Sequence, residues 1–190
     1  ATQLYEGAHL RAQTYATLIS LLAATGLRIS EALHLRYGDV TPDGLLIRKT
    51  KFQKTRLVPL HETATAGLGR YLAQRGTAHL DTNPVFADDN DQPLEYWAVY
   101  RVFGRLAQSA SMATVRGHRP RLHELRHTFA SRSLQSTPAG RQRIGQHMLA
   151  LATYLGHVSI DSTYWYLEST PELLTDIAAA GEAYLDGGHS

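Results

Sequence analysis

Apolar residues recur at near-helical spacing over residues 8–24, where Leu10, Tyr15, Leu18, Ile19 and Leu22 line up, and this predicts a helix. Thr25-Gly26 breaks it. A second helix is expected from about Arg28 to Leu35, with Ile29, Ala32, Leu33 and Leu35 partly buried. Thr41-Pro42-Asp43-Gly44 carries turn chemistry. Residues 45–48 and 56–60 then read as two short strands joined by a lysine-rich turn. Helices are expected over 63–74, 94–109 and 122–134, with Val85-Phe86 a short extended piece between loops. Gly117 to Pro120 reads as a basic loop, and Thr137-Pro138-Ala139-Gly140 ends the helix before it. Two further helices follow at about 144–155 and 171–184. The pattern predicts a mainly α protein with a small antiparallel β-sheet, arranged as one domain over 1–190 with 170–190 as its tail.

The 190 residues are 43% apolar, enough for a packed core. No apolar run approaches the length of a membrane span, and no signal peptide opens the sequence. Helical patterning starts close to Ala1, so the chain reads as a piece of a longer protein. There is no cysteine, which excludes disulfides and thiolate metal sites and fits a reducing compartment.

Charge changes the picture more than composition does. All 19 Lys and Arg lie in residues 1–143, against 11 acids, leaving +8 there; residues 144–190 hold six acids and no Lys or Arg. A cationic body with an acidic tail suits a polyanionic partner. The three lysines, Lys49, Lys51 and Lys54, share one short segment flanked by Arg48 and Arg56. A second basic cluster holds Arg116, His118, Arg119, Arg121, His123, Arg126 and His127. Either cluster alone is more often a solvated loop; the two together point to backbone phosphates.

In the string HELRH, His123, Arg126 and His127 share one helical face. An imidazole exchanges protons near neutral pH, while a guanidinium stays charged and presents a planar fork to phosphate oxygens. The same string matches the zinc-peptidase pattern, with His123 and His127 as ligands and Glu124 as base. That rival leaves Arg28, the lysine segment and Tyr166 without a role. Glu31, one turn after Arg28, is placed to orient it by an ion pair.

The strings ATGLRISEAL, RKTKFQKTRLVPL, HELRHTFAS, YLGH and STYWY occur in this order. Together they resemble the catalytic domain of the tyrosine recombinases, the phage-integrase family, from about Leu18 to about Leu174. The resemblance implies that Arg28 and Arg126 hold the scissile phosphate, Lys51 protonates the leaving 5′-oxygen, and His123 accepts a proton. It further implies that His157 supports the transition state and that Tyr166, nine residues on, is the nucleophile. The family usually carries glycines beside its lysine, where this chain has Thr50 and Phe52. Arg48, Lys49, Lys54, Arg56, Arg119 and Arg121 are then expected on DNA.

The implied reaction is site-specific recombination of a double-stranded DNA target through a 3′-phosphotyrosyl intermediate, without cofactor or metal. The implied assembly is a tetramer on a four-stranded junction in the bacterial cytoplasm or nucleoid. The family usually adds an amino-terminal DNA-clamping domain, and on this resemblance the 190 residues are expected to be the catalytic domain without it. A type IB topoisomerase, a zinc metallopeptidase and a DNA-binding domain without catalysis remain alternatives at this level.

Overall fold

The computed structural model describes residues 2–48, 55–76, 80–112, 120–136 and 141–156. In chain order they form α1 (Thr2–Thr25), α2 (Ile29–Leu33), a 3₁₀ turn (Tyr37–Asp39), β1 (Val40–Thr41), β2 (Gly44–Ile47) and β3 (Arg56–Val58). They continue with α3 (Glu62–Arg75), α4 (Tyr96–Ser109), α5 (Leu122–Gln135) and α6 (Arg141–Leu155). The mainly α reading with a small antiparallel sheet holds. Contacts gather into two units, Ala1–Arg126 and His127–Ser190. No helix among the described residues is long and apolar enough to cross a membrane.

Five helix starts differ from the sequence pattern, α3 at Glu62 and α4 at Tyr96 by one or two residues and the other three as follows. α1 begins at Thr2 instead of Ala8, and α6 at Arg141 instead of Ile144. α2 is a single short helix for which Arg28 is the N-cap, with extended backbone at φ −68° and ψ 141°. Hydrophobic periodicity marks the buried stripe, and it is blind to polar turns that extend a helix beyond that stripe.

The sheet has the order β1-β2-β3, all antiparallel, with Leu45 opposite Val58 and Ile47 opposite Arg56. β1 is two residues long, too short to show any period, and was not anticipated. Gly44 closes its turn at φ +133°, where an added Cβ would lie 2.3 Å from the Val58 carbonyl oxygen. Only glycine lets the neighbouring strand come this close.

The first unit's core includes Leu18, Leu22, Leu35, Leu45, Val58, Val85, Phe86 and Val99, all buried. Tyr71 of α3 stacks on Phe86 with ring centroids 5.6 Å apart. Its hydroxyl lies 3.0 Å from the Val85 carbonyl oxygen and 3.2 Å from Thr14 Oγ1, joining α1, α3 and the extended 85–86 piece. In the second unit Ala130, Leu134, Met148, Leu151 and Leu155 form the core. Phe129 and Tyr154 stack beside it at 5.6 Å.

Candidate active site

The site is built around the break after α1. Gly26 adopts φ +62°, the left-handed conformation that ends a helix cheaply only in glycine. Its N–H donates to the Leu22 carbonyl at 2.9 Å. Thr25 Oγ1 donates back to the Leu21 carbonyl at 2.6 Å. The chain therefore turns within two residues and delivers Arg28 at the start of α2.

Arg126 reaches this turn from α5. Its NH1 donates to the Gly26 carbonyl oxygen at 2.7 Å, and the residue is only 2% exposed. A buried guanidinium needs such polar partners, because an unpaired charge away from water is costly. The contact ties the arginine of HELRH to the backbone two residues before Arg28.

Glu31 is a second hub. It accepts the Arg28 backbone N–H at 2.9 Å and the Arg28 NH1 at 3.1 Å, which is the ion pair anticipated from spacing. It also takes both ends of the Arg56 fork, each at 2.9 Å. Side-chain exposure is 7% for Glu31, 12% for Arg56 and 36% for Arg28. Burial by itself would raise the Glu31 pKa; the Arg56 fork and then the Arg28 contacts outweigh it and hold the carboxyl below its ordinary value of 4.5. Arg56, expected on DNA, thus directs its fork at Glu31 and ties β3 to the start of α2.

A depressed carboxyl stabilises the fold above its unfolded pKa, and that stability is lost as pH falls through the lower folded value. Glu31→Gln is therefore expected to lower the melting temperature at neutral pH. The gap from the parent protein should shrink as pH drops below the usual carboxylate range. Thermal melts across pH check this; a gap that does not change with pH counts against the hub.

His123 opens α5 three residues before Arg126. Its imidazole pKa is pulled below the ordinary 6.5, first by burial, then by repulsion from Arg126, Arg28 and Arg121, with Glu124 opposing. The residue keeps surface exposure, so the ring is crowded without being sealed off. A neutral imidazole at physiological pH is equipped to accept a proton. Glu124 accepts the Arg121 backbone N–H at 3.1 Å and pairs with the Arg121 side chain at 3.6 Å. The acid of HELRH therefore has a structural position at the helix entry.

The structure thus brings together Arg28, His123 and Arg126, with Glu31 and Arg56 behind Arg28. Arg48 lies at the end of β2 against Asp39, and Arg121 precedes α5 with its side chain largely exposed. Lys51, His157 and Tyr166, and with them Lys49, Lys54, Arg119 and the expected helix at 171–184, lie outside the described residues. Sequence reasoning missed the Gly26 carbonyl as an anchor and Asp39 as a partner, since neither carries a local signal. Tyr154, read as a packing residue, stacks on Phe129.

A protein whose basic, phosphate-suited residues gather around one histidine in this fold has relatives. The model of the phage integrase family matches residues 2–172, and the chain belongs to that family. It is 36% identical over 178 residues to "Putative integrase/recombinase y4rB" of Sinorhizobium fredii (strain NBRC 101917 / NGR234), covering 90% of this chain and 57% of that protein. It is 31% identical over 165 residues to "Tyrosine recombinase XerC" of Nitrobacter winogradskyi, covering 85% of this chain and 48% of the relative. The crystal structure of XerA recombinase superposes with a TM-score of 0.70 at 25% identity, over 92% of this chain and 60% of that one. The chain therefore spans about half the length of the curated relatives it matches.

Proposed function

We propose that this chain is the catalytic part of a site-specific DNA recombinase that works through a 3′-phosphotyrosyl intermediate. The observation that supports it most is the cluster of two arginines on one histidine. Arg126 is hydrogen-bonded to the Gly26 carbonyl, two residues before Arg28, and the charges of both arginines act on His123. Two fixed guanidinium groups stabilise charge growing on a pentacoordinate phosphorus, the work that a metal does elsewhere. The exposed positions of α4 add to the reading: Trp97, Arg101, Arg105 and Gln108 are exposed, and α4 contains no acid.

In the proposed reaction the Tyr166 phenol oxygen attacks the phosphorus and its proton passes to His123. The bond from phosphorus to the 5′-oxygen breaks, and Lys51 protonates that oxygen. The phosphotyrosyl ester keeps the energy of the broken bond, so a 5′-hydroxyl on a partner strand reseals it, releasing the phenol and requiring no ATP. His157 supports the transition state by a hydrogen bond. The partner is duplex DNA, the assembly a tetramer on a junction, and the place the bacterial cytoplasm or nucleoid. The tail at 170–190 is read as docking on a neighbouring protomer.

A pool of nicked duplexes tests the reaction, because the short cleaved fragment diffuses away and traps the enzyme on DNA. A covalent adduct at Tyr166, located by mass spectrometry and formed in excess chelator, is the expected result. DNA binding without an adduct would overturn the reading. Activity lost in chelator and restored by zinc would favour HELRH as a metal site instead.

The His123 assignment makes its own prediction. Adduct formation should fall as pH drops through the His123 pKa, with a midpoint below 6.5 because burial and the arginines depress it. Arg121→Ala removes one of the repelling charges and should move that midpoint upward. Single-turnover rates at subsaturating DNA, which report the free protein, read this across pH, and a midpoint unmoved by Arg121→Ala counts against it.

A further inference from the structure

The two arginines that flank the β2–β3 connection differ in one respect. Arg56 gives both ends of its fork to Glu31 and is nearly buried. Arg48, the residue after β2, meets Asp39 through Nε alone, at 2.5 Å from Oδ1. The Arg48 side chain stays 58% exposed, while that of Asp39 is 7% exposed. Asp39 is itself fixed, because its Oδ2 accepts the Arg36 backbone N–H at 3.1 Å across the 3₁₀ turn. A guanidinium gripped at Nε still carries four N–H donors on its terminal nitrogens.

We propose that Asp39 is a positioning residue for DNA, holding Arg48 as a preoriented phosphate clamp. The assignment rests on the DNA-binding reading above. An unrestrained arginine loses side-chain entropy when it grips a phosphate, whereas one held by a buried carboxylate has lost part of it on folding. The planar fork then meets phosphate oxygens in a fixed orientation. One effect opposes this: the Asp39 charge repels the same phosphate. The two Asp39 oxygens are already engaged, by Arg48 Nε and by the Arg36 N–H, and salt screens the remaining repulsion only in part because the carboxylate is buried. The gain from orientation must therefore exceed that repulsion, and Asp39→Asn measures the difference.

The test measures binding of a fluorescein-labelled random-sequence duplex to the full chain by anisotropy, up to physiological salt. Arg48→Ala is expected to weaken binding about tenfold and to lower the slope of log affinity against log salt by about one. Asp39→Asn removes a negative charge, yet should weaken binding about threefold to fivefold at physiological salt. It should add nothing in the Arg48→Ala background, since both changes remove one clamp. Arg48→Lys keeps a cation and leaves Asp39 and its Arg36 contact in place but has no Nε, so it should weaken binding about as much as Asp39→Asn while keeping the parent salt slope. Tighter or unchanged binding by Asp39→Asn overturns the proposal, as does an undiminished loss in the Arg48→Ala background. Parent-like binding by Arg48→Lys overturns it even where Asp39→Asn fails to fold. A parent protein with no salt-dependent duplex binding sinks the DNA reading itself.

Discussion

Arg126→Ala is expected to slow DNA cleavage by about two orders of magnitude or more, the loss typical of removing one transition-state donor from a preorganised site. The same change should also reach the fold. Arg126 is 2% exposed and its NH1 holds the buried Gly26 carbonyl at 2.7 Å. Leaving that acceptor without its donor costs about 1–3 kcal/mol. The two losses separate with Arg126→Lys. An ammonium keeps the charge but cannot reproduce a planar fork that serves a backbone carbonyl and a phosphate together. The lysine variant should therefore recover stability in urea melts more than it recovers rate. A variant that regains full single-turnover cleavage would show that charge alone is needed, and would remove Arg126 from the geometry proposed here.

Tyr166→Phe should abolish the covalent adduct while duplex binding is unchanged. The phenol oxygen is the only atom removed, and it is the atom proposed to form the bond to phosphorus. Tyrosine has a solution pKa of about 10, so its attack depends on a proton acceptor and on nearby cations. Arg28, Arg126 and the neutral His123 are the groups proposed to supply both. Tyr164→Phe should leave the adduct intact. Tyr154→Phe is a sharper control, because the ring that stacks on Phe129 is kept and only the hydroxyl is lost. An adduct that survives in Tyr166→Phe and disappears in Tyr164→Phe would move the nucleophile by two residues.

Much of the architecture was legible because its signals are local. The α1 stripe, the Thr25-Gly26 break, the turn at 41–44 and the helix carrying HELRH all follow from periodicity and turn chemistry within a few residues. The pair between Arg28 and Glu31 was legible for the same reason, since three positions separate them. The end of α1 closes on Gly26 where the sequence break fell, because a left-handed residue is needed there.

Other features join residues far apart in the chain, and no local pattern encodes them. The Arg126 to Gly26 contact spans 100 positions, and Arg56 to Glu31 spans 25. Arg56 and Arg48 look alike in sequence, as two cations flanking three lysines. Packing separates them. One faces a buried carboxylate with both ends of its fork, while the other is held at one nitrogen and stays exposed. Likewise, no reading of HELRH shows that Arg126 is buried or that burial, with three arginines, depresses the His123 pKa. The sequence by itself determined which residue types are present and which helix or turn carries each, since those depend on neighbours within a turn or two. Tertiary structure alone decided which charges meet, because burial, partner and protonation state are set by whatever distant segment packs against the group.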